Sequence, residues 1–486
     1  MATTAAVQPH VLVFPLPAQG HVNSMLKLSE LLCISDIHVT FLVTGPTHVS
    51  LLAHSDVGSR GLGEKFRLEK LPDGIYQDNF HTLDGFMENL NTLETVGRPF
   101  LKEYLGGGRR RWPPVTCVIT DGALVSLAVD VAEEFKLPTI VCQTISVAAF
   151  WCFVCTPDLI QSGELPIKGN EMDLATKVKG MEHFIRLGDL PSFCQVQNLE
   201  TPIFRALVKE KLQTARAKGV IFNTFEELDE PILAQVRTMC PNTYPIGPVH
   251  AHLKARLGTN PPSSNSLREE DRSCLSWLEN QPEKSVIYVS FGSLAVVTRE
   301  QLLEIWHGLV NSGQRFLWVL RPDLVAGENG GNWAPAELEE GVKARGYIIS
   351  WAPQEAVLEH RSVGGFFTHS GWNSTLESIV AGVPMICGPC LGDQNTNSRM
   401  VEAVWKIGLD MKGGWDRVTV ENMVRDVMEK RKDEFLERAE EMAKLAGKAV
   451  GEGGSSCSNL RRLVDDIRSM AVSPMRTDLL PVMDVR

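Results

Sequence analysis

Residues Trp351 to Gln394 read WAPQEAVLEHRSVGGFFTHSGWNSTLESIVAGVPMICGPCLGDQ. Within this stretch GGFFTH (Gly364 to His369) is a short apolar run bounded by turn residues, the pattern of a buried strand. A helix is expected to follow. Gly371 permits a sharp exit from the strand, Asn373 and Ser374 are good N-cap residues, and Glu377 stands three after Ser374 in capping-box spacing. Gly382 and Pro384 then stop the helix. A strand feeding a helix N-terminus through a tight glycine turn leaves backbone N–H groups unpaired and aims the positive end of the helix dipole outward, which makes an anion site. A diphosphate fits such a site. His369, Asn373 and Ser374 add side-chain donors, Trp351 offers a flat face for a base, and Asp393 with Gln394 offers partners for hydroxyls. Taken singly, Ser374 and Glu377 read more readily as a capping box and Trp351 as core; it is the ordered set that points to a nucleotide-sugar site.

Near the other end, HVLVFPLPAQGHVNSMLKLSELL (His10 to Leu32) begins as an apolar β-rich run, breaks at Pro15, Pro17 and Gly20, and resumes with Val22, Met25, Leu28 and Leu32 at helical spacing. This predicts strand, loop and helix, with His21 on the loop after the strand, where ligands bind in open α/β sheets. An imidazole acting as base needs a partner that fixes its tautomer and stabilises the imidazolium. VTCVITDG (Val115 to Gly122) reads as a buried strand ending in Asp121, the candidate partner. Asp130, Glu133 and Glu134 fall in the next helical pattern and read as a solvated face.

The segment closely resembles the signature of plant family-one UDP-glycosyltransferases, W-x-P-Q-x-x-x-L-x-H-x-x-x-G-x-F-x-T-H-x-G-W-N-S-x-x-E-x-x-x-x-G-V-P-x-x-x-x-P-x-x-x-D-Q, and meets every fixed position. P-x-P-x-Q-G-H-V-N around His21 resembles the N-terminal signature of the same family. The resemblance implies that Trp351 stacks on uracil with the Ala352 backbone reading its edge, that Gln354 and Glu377 hold the ribose, and that His369, Asn373 and Ser374 bind the diphosphate with Ser293 of SFGSL. It implies further that Asp393 and Gln394 grip the sugar, that Trp372 with Gln394 selects UDP-glucose, and that His21 is the general base partnered by Asp121. The chemistry implied is inverting transfer of glucose to a hydroxyl or carboxyl of a small apolar metabolite, giving a β-glucoside, with UDP-glucose as co-substrate and no cofactor or metal. Gly388 and Cys390 depart from the Trp and Phe that many relatives carry there.

The implied fold is α/β of the GT-B kind, two Rossmann-like domains with parallel sheets facing across a cleft. Residues 1–248 are expected to form the acceptor-binding domain and 249–458 the UDP-sugar domain, with 459–486 returning toward the first. The alternation from SVIYVSFGSL (Ser285 to Leu294) through QLLEIWHGLVNSG (Gln301 to Gly313) to RFLWVL (Arg315 to Leu320) supports a second parallel sheet. YPIGPV (Tyr244 to Val249) and the polar stretch LGTNPPSSNSLREEDRS (Leu257 to Ser273) read as linker and loop. The acceptor is expected to meet variable segments around Leu71 to Phe86, Ser146 to Cys155 and Phe184 to Phe193, with Phe86, Phe150, Trp151 and Phe193 as candidate pocket residues. A terpenoid or iridoid-type aglycone is the leading acceptor class, and flavonoids or other phenolics the alternative.

The chain of 486 residues carries 48 basic and 59 acidic side chains, a formal charge of −11. The dense basic run GGGRRRW (Gly106 to Trp112) reads as a solvated loop, so nucleic acid is not an expected partner. LPTIVCQTISVAAFWCFV (Leu137 to Val154) is interrupted by Gln143, Thr144 and Ser146, where a strand turns into a helix, and reads as core rather than a membrane span. The 11 cysteines include C-x-x-C pairs at 152/155 and 387/390, but the second falls inside the donor signature, against redox or zinc use. The odd count, and a sequon at Asn373 in the donor site, favour a reducing, unglycosylated compartment, and a cytoplasmic monomer is expected. A catalytically silent nucleotide-sugar-binding protein is the rival of another class, opposed by the retention of both His21 and Asp121. A dinucleotide oxidoreductase is opposed by the lack of G-x-G-x-x-G after the first strand.

Overall fold

The computed structural model describes residues 8–56, 63–72, 83–107, 112–258, 266–325, 345–411 and 414–472. Residues 108–111 of the basic run, 259–265 of the polar stretch, 73–82 of the first acceptor segment and 473–486 of the tail lie outside the described residues. The short strands are rich in Val, Ile and Phe and buried along their length, as strands covered on both faces must be.

The first sheet contains β1 (His10–Phe14), β2 (His38–Val43), β3 (Phe66–Lys70), β4 (Cys117–Asp121), β5 (Thr139–Gln143), β6 (Gly219–Phe222) and β7 (Thr243–Pro245). Their spatial order is β3-β2-β1-β4-β5-β6-β7, and every pair is parallel. The second contains β8 (Val286–Ser290), β9 (Arg315–Val319), β10 (Gly346–Ile349), β11 (Val363–Thr368), β12 (Met385–Cys387) and β13 (Gly408–Asp410). It is ordered β10-β9-β8-β11-β12-β13, again all parallel. Each sheet therefore reverses its direction of winding once, between β1 and β4 in the first and between β8 and β11 in the second. Such a reversal forces the flanking connections apart and leaves a crevice at the carboxyl edge.

The two halves are sewn together by packing as well as by chain. One buried cluster runs from Phe150, Phe222 and Ile232 of the first half to Tyr288, Phe366, Trp372 and Trp405 of the second. The helix Ser455–Val472 returns to the first half, burying Leu460, Leu463 and Ile467 with the residues of β1 and β2. Its Asp466 accepts the Tyr244 hydroxyl at 2.7 Å, and Arg462 lies over the Tyr244 ring at 4.4 Å.

Three local expectations need correction. The helix after β1 spans Gln19–Ile34, so His21 sits in its first turn rather than on a loop; only Pro15 to Ala18 remain to break the chain. Ser374 and Glu377 do not form a capping box: the helix Trp372–Ala381 has Gly371 as N-cap and no side-chain cap. Their side chains are drawn instead to Gln354, leaving the first-turn N–H groups uncapped by side chains. YPIGPV is not a bare linker, because Tyr244 belongs to β7 and Val249 opens a helix that ends at Leu257.

Candidate active site

Both crevices open onto one cleft of about 250 Å³. From the first half come Gln19, Gly20, His21, Asn23 and Thr144; from the second come Ser293, Trp351, Gln354, His369, Asn373, Ser374, Glu377, Asp393 and Gln394.

His21 Nδ1 lies 2.7 Å from Asp121 Oδ2 and 2.8 Å from Thr144 Oγ1. Asp121 ends β4 and is fully buried. Its Oδ2 also accepts the Leu16 N–H at 3.2 Å and its Oδ1 the Ala123 N–H at 2.9 Å. Burial pulls its pKa upward, but His21, the Ala123 N–H and the charge of Lys211 together hold the carboxyl below its usual range. An ionised carboxylate only accepts, so the imidazole proton stays on Nδ1. The lone pair of Nε2 is then free to take a proton.

His369 follows β11 and is wedged between glycines. A Cβ on Gly292, itself at φ +68°, would come within 2.5 Å of the His369 ring, and a Cβ on Gly371 would press into Nε2. Burial, aided by the Arg321 charge and opposed by a hydrogen bond to the Ser290 carbonyl, pushes the His369 pKa down to about 4, so the ring is neutral. Arg321 braces the wall behind it, donating to the carbonyls of Ser293 (2.9 Å) and Ala295.

Trp351 is held by an indole bond to Ser266 Oγ at 3.0 Å, with Arg268 5.4 Å from the ring centroid. Ala352 is buried beside it. Gln354 Nε2 donates to Ser374 Oγ at 2.8 Å and to Glu377 Oε2 at 2.7 Å, and the Tyr288 hydroxyl donates to Gln354 Oε1 at 3.2 Å. Burial and the neighbouring Glu355 carboxylate push Glu377 up to about 7. Asp393, its pKa raised by burial, accepts from Asn397 Nδ2 at 2.9 Å and from the Ser146 N–H at 3.4 Å. Gln394 Oε1 is occupied by the N–H groups of Cys390 and Leu391 at 2.7 and 2.8 Å, which leaves its NH₂ as the group that can meet a sugar oxygen.

Two predicted donor residues do more than was anticipated. The Asn373 side chain reaches across the cleft, donating to Gly20 O at 2.8 Å and accepting from Ser24 Oγ at 2.7 Å. Trp372 is 3 % exposed, with its indole N–H on Asn223 O at 2.9 Å. Gly388 leaves room for Trp415, whose Cζ2 would lie 3.1 Å from an added Cβ. On the acceptor side, Phe150 and Trp151 are core rather than pocket wall: Phe150 packs edge-on to Phe222 at 5.2 Å, and the Trp151 indole donates to Lys179 O at 2.9 Å. The apolar helix Val147–Val154 buries them because its other neighbours are apolar too. Phe86 and Phe193 are half-buried against the same core. Asp130, Glu133 and Glu134 are not simply solvated but pair with Arg216 and Lys102 at 2.7–2.8 Å.

Sequence reasoning overlooked Thr144, Asn23, Arg321 and Lys211. Asn23 sits in the quoted N-terminal signature and could have been found there; the others are brought in by the fold alone. The cysteines are free thiols, and burial pushes Cys387 and Cys390 up to about 12, far from thiolate chemistry. Among the described residues no three His, Cys, Asp or Glu side chains gather as metal ligands, and no helix is long and apolar enough to cross a membrane.

Comparison with known proteins agrees with this geometry. The profile of the family described as UDP-glucoronosyl and UDP-glucosyl transferase matches residues 195–439. The chain is 53 % identical to 7-deoxyloganetic acid glucosyltransferase of Catharanthus roseus, over 96 % of this chain and 98 % of the relative. It is 42 % identical to a myricetin 3-O-rhamnoside 1,2-glucosyltransferase of Crocosmia x crocosmiiflora, over 95 % and 96 %. Among solved structures, Os79 of O. sativa in complex with UDP superposes with a TM-score of 0.81 at 28 % identity, covering 94 % of this chain and all of that one.

Gly371→Ala isolates the anion site, because Gly371 has an ordinary φ of −60° and alanine there adds no backbone strain. The added methyl must displace His369. UDP affinity measured by calorimetry should fall about tenfold or more, the loss expected for a hydrogen bond to a charged group, with the fold retained by circular dichroism.

Proposed function

The chain belongs to the UDP-glucosyl and UDP-glucuronosyl transferase family, and from that membership we propose an inverting glucosyltransferase that moves glucose from UDP-glucose to a small apolar acceptor of the iridoid type. The observation that carries the mechanism is the 2.7 Å pair of His21 with buried Asp121, facing the helix N-terminus at Gly371 across one cleft.

His21 Nε2 takes the proton from the acceptor hydroxyl as that oxygen attacks the anomeric carbon from the face opposite UDP. The new C–O bond forms, the bond to the diphosphate oxygen breaks, and UDP departs with the electron pair, so the product is a β-glucoside. Asp121 stabilises the imidazolium through Nδ1–H. The negative charge growing on the diphosphate meets donors already in place, namely the first-turn N–H groups after Gly371 and the Ser293 hydroxyl, with His369 lining the same site. Such preorganised donors do the work a divalent cation does elsewhere, so no metal is needed. Trp351 stacks on the base, Gln354 and Glu377 hold the ribose, and Asp393 with the Gln394 NH₂ grips the hexose. Asn373, its side chain occupied across the cleft, contributes its backbone N–H to the diphosphate and its side-chain amide to holding the halves together.

The acceptor class rests on the relative that acts on 7-deoxyloganetic acid. The relative that acts on a myricetin rhamnoside supports a second reading, transfer to a phenolic glycoside. Free buried cysteines and a sequon asparagine engaged inside the cleft support a reducing compartment, and we place the protein in the cytoplasm as a monomer.

His21→Ala should lower transfer by roughly a hundredfold to ten-thousandfold while leaving UDP affinity nearly intact, since general-base catalysis has that magnitude and the base acts on the acceptor. Near-parental turnover of an alcohol would refute the assignment, and Asp121→Asn should be impaired in the same assay. Turnover should persist in excess EDTA; a loss restored by Mg²⁺ would show that the donors at the diphosphate are insufficient. In direct competition UDP-glucose should be used about tenfold or more over UDP-galactose, because an axial 4-hydroxyl leaves a buried partner unpaired at a cost of order 1–3 kcal/mol. Mass-shift profiling against iridoid and phenolic acceptors then separates the two readings of the acceptor.

A further inference from the structure

Lys211 lies near the end of the helix Pro202–Gln213 and is 5 % exposed. Its Nζ donates to Gly122 O at 2.9 Å and to Gln143 Oε1 at 3.0 Å. Among the described residues no carboxylate is within salt-bridge distance of it, so a buried cation is satisfied by neutral acceptors alone. That is a costly arrangement unless its field has use. The two acceptors are not arbitrary. Gly122 directly follows Asp121 at the end of β4, and Gln143 ends β5 directly before Thr144. Asp121 and Thr144 are the two groups on His21 Nδ1. Gly122 is itself required, because a Cβ there would collide with the Gln143 amide, and Gln143 Nε2 is fixed from behind by Thr214 Oγ1 at 3.2 Å.

We propose that Lys211 is a positioning residue for the base: its ammonium clamps the two strand ends that deliver Asp121 and Thr144 to His21, and sets a fixed positive charge behind that pair. The inference rests on the assignment of His21 as base. The charged groups converging here are Asp121 from β4, His21 from the Gln19–Ile34 helix, Asp393 from the second half, and Glu210 beside Lys211, whose Oε2 accepts the Ser126 N–H at 2.8 Å. Burial pushes the Lys211 pKa down to about 8 against the pull of Asp121, Glu210 and Asp393, so it stays mostly protonated at neutral pH. A cation in this place opposes a second positive charge on His21.

Two variants of the full chain separate the role from simple packing. Lys211→Met removes clamp and charge; Lys211→Gln keeps an N–H donor on the side chain and removes the charge. With UDP binding retained within about twofold, Lys211→Met should lose about tenfold or more in kcat, a share of the general-base contribution. In both variants the acid limb of kcat/KM should move to higher pH, by about 0.5 pH or more, because the repulsion on the imidazolium is gone. An unmoved limb in folded, UDP-binding variants would overturn the proposal, as would failure of both variants to fold, which would make Lys211 a core-stability residue. His21→Ala measured alongside keeps the two claims apart. Activity there removes the base and this role with it, whereas an inactive His21→Ala beside unaffected Lys211 variants would leave the base standing and the Lys211 role refuted.

Discussion

A parallel sheet that reverses its winding must leave a crevice where the connections part, and this molecule depends on two such crevices opening onto each other. His21 follows β1 and Asp121 ends β4, the strands that flank the reversal in the first sheet; Ser293 and His369 follow β8 and β11, which flank it in the second. No residue of the site has to be carried far from a strand end. The precision of the cleft is therefore inherited from hydrogen-bonded ladders rather than from loops, as a site holding reacting atoms within a fraction of an ångström demands.

Environment then assigns opposite tasks to chemically identical groups. His21 faces an ionised carboxylate that can stabilise its protonated form, and so suits proton transfer. His369, enclosed by glycines and beside the Arg321 charge, stays neutral, with a hydrogen bond to the Ser290 carbonyl. The carboxylates divide likewise: Asp121 is held ionised by its partners, whereas Glu377 is pushed up to about 7 by burial and by Glu355.

What could be read from the sequence was whatever is local. The Gly364 to His369 strand, its glycine exit and the stop at Gly382 follow from residue types over a few positions, and Gly382 does take the left-handed conformation that ends the helix. Asp121 at a strand end was legible for the same reason. The capping box at Ser374 was misread because a cap competes with tertiary partners, and Gln354, remote from it by 20 positions, takes both side chains. Phe150 and Trp151 were misread because an apolar helix looks alike whether it faces a ligand or a core. Lys211 was illegible altogether. Nothing in its own neighbourhood distinguishes it from a surface lysine, and only the pairing of β4 with β5 brings Gly122 and Gln143 within its reach.

The chain passes between the halves twice, once between Pro245 and Val286 and again in the turn from Val450 to Ser455. Two kinds of contact therefore tie the halves beside these crossings. The bonds from Asn373 to Gly20 and Ser24 span the cleft from the second half to the first, and the apolar cluster runs through both halves behind it. The polar bonds are directional and set how the two cleft walls face each other, while the apolar cluster is non-directional and holds them close.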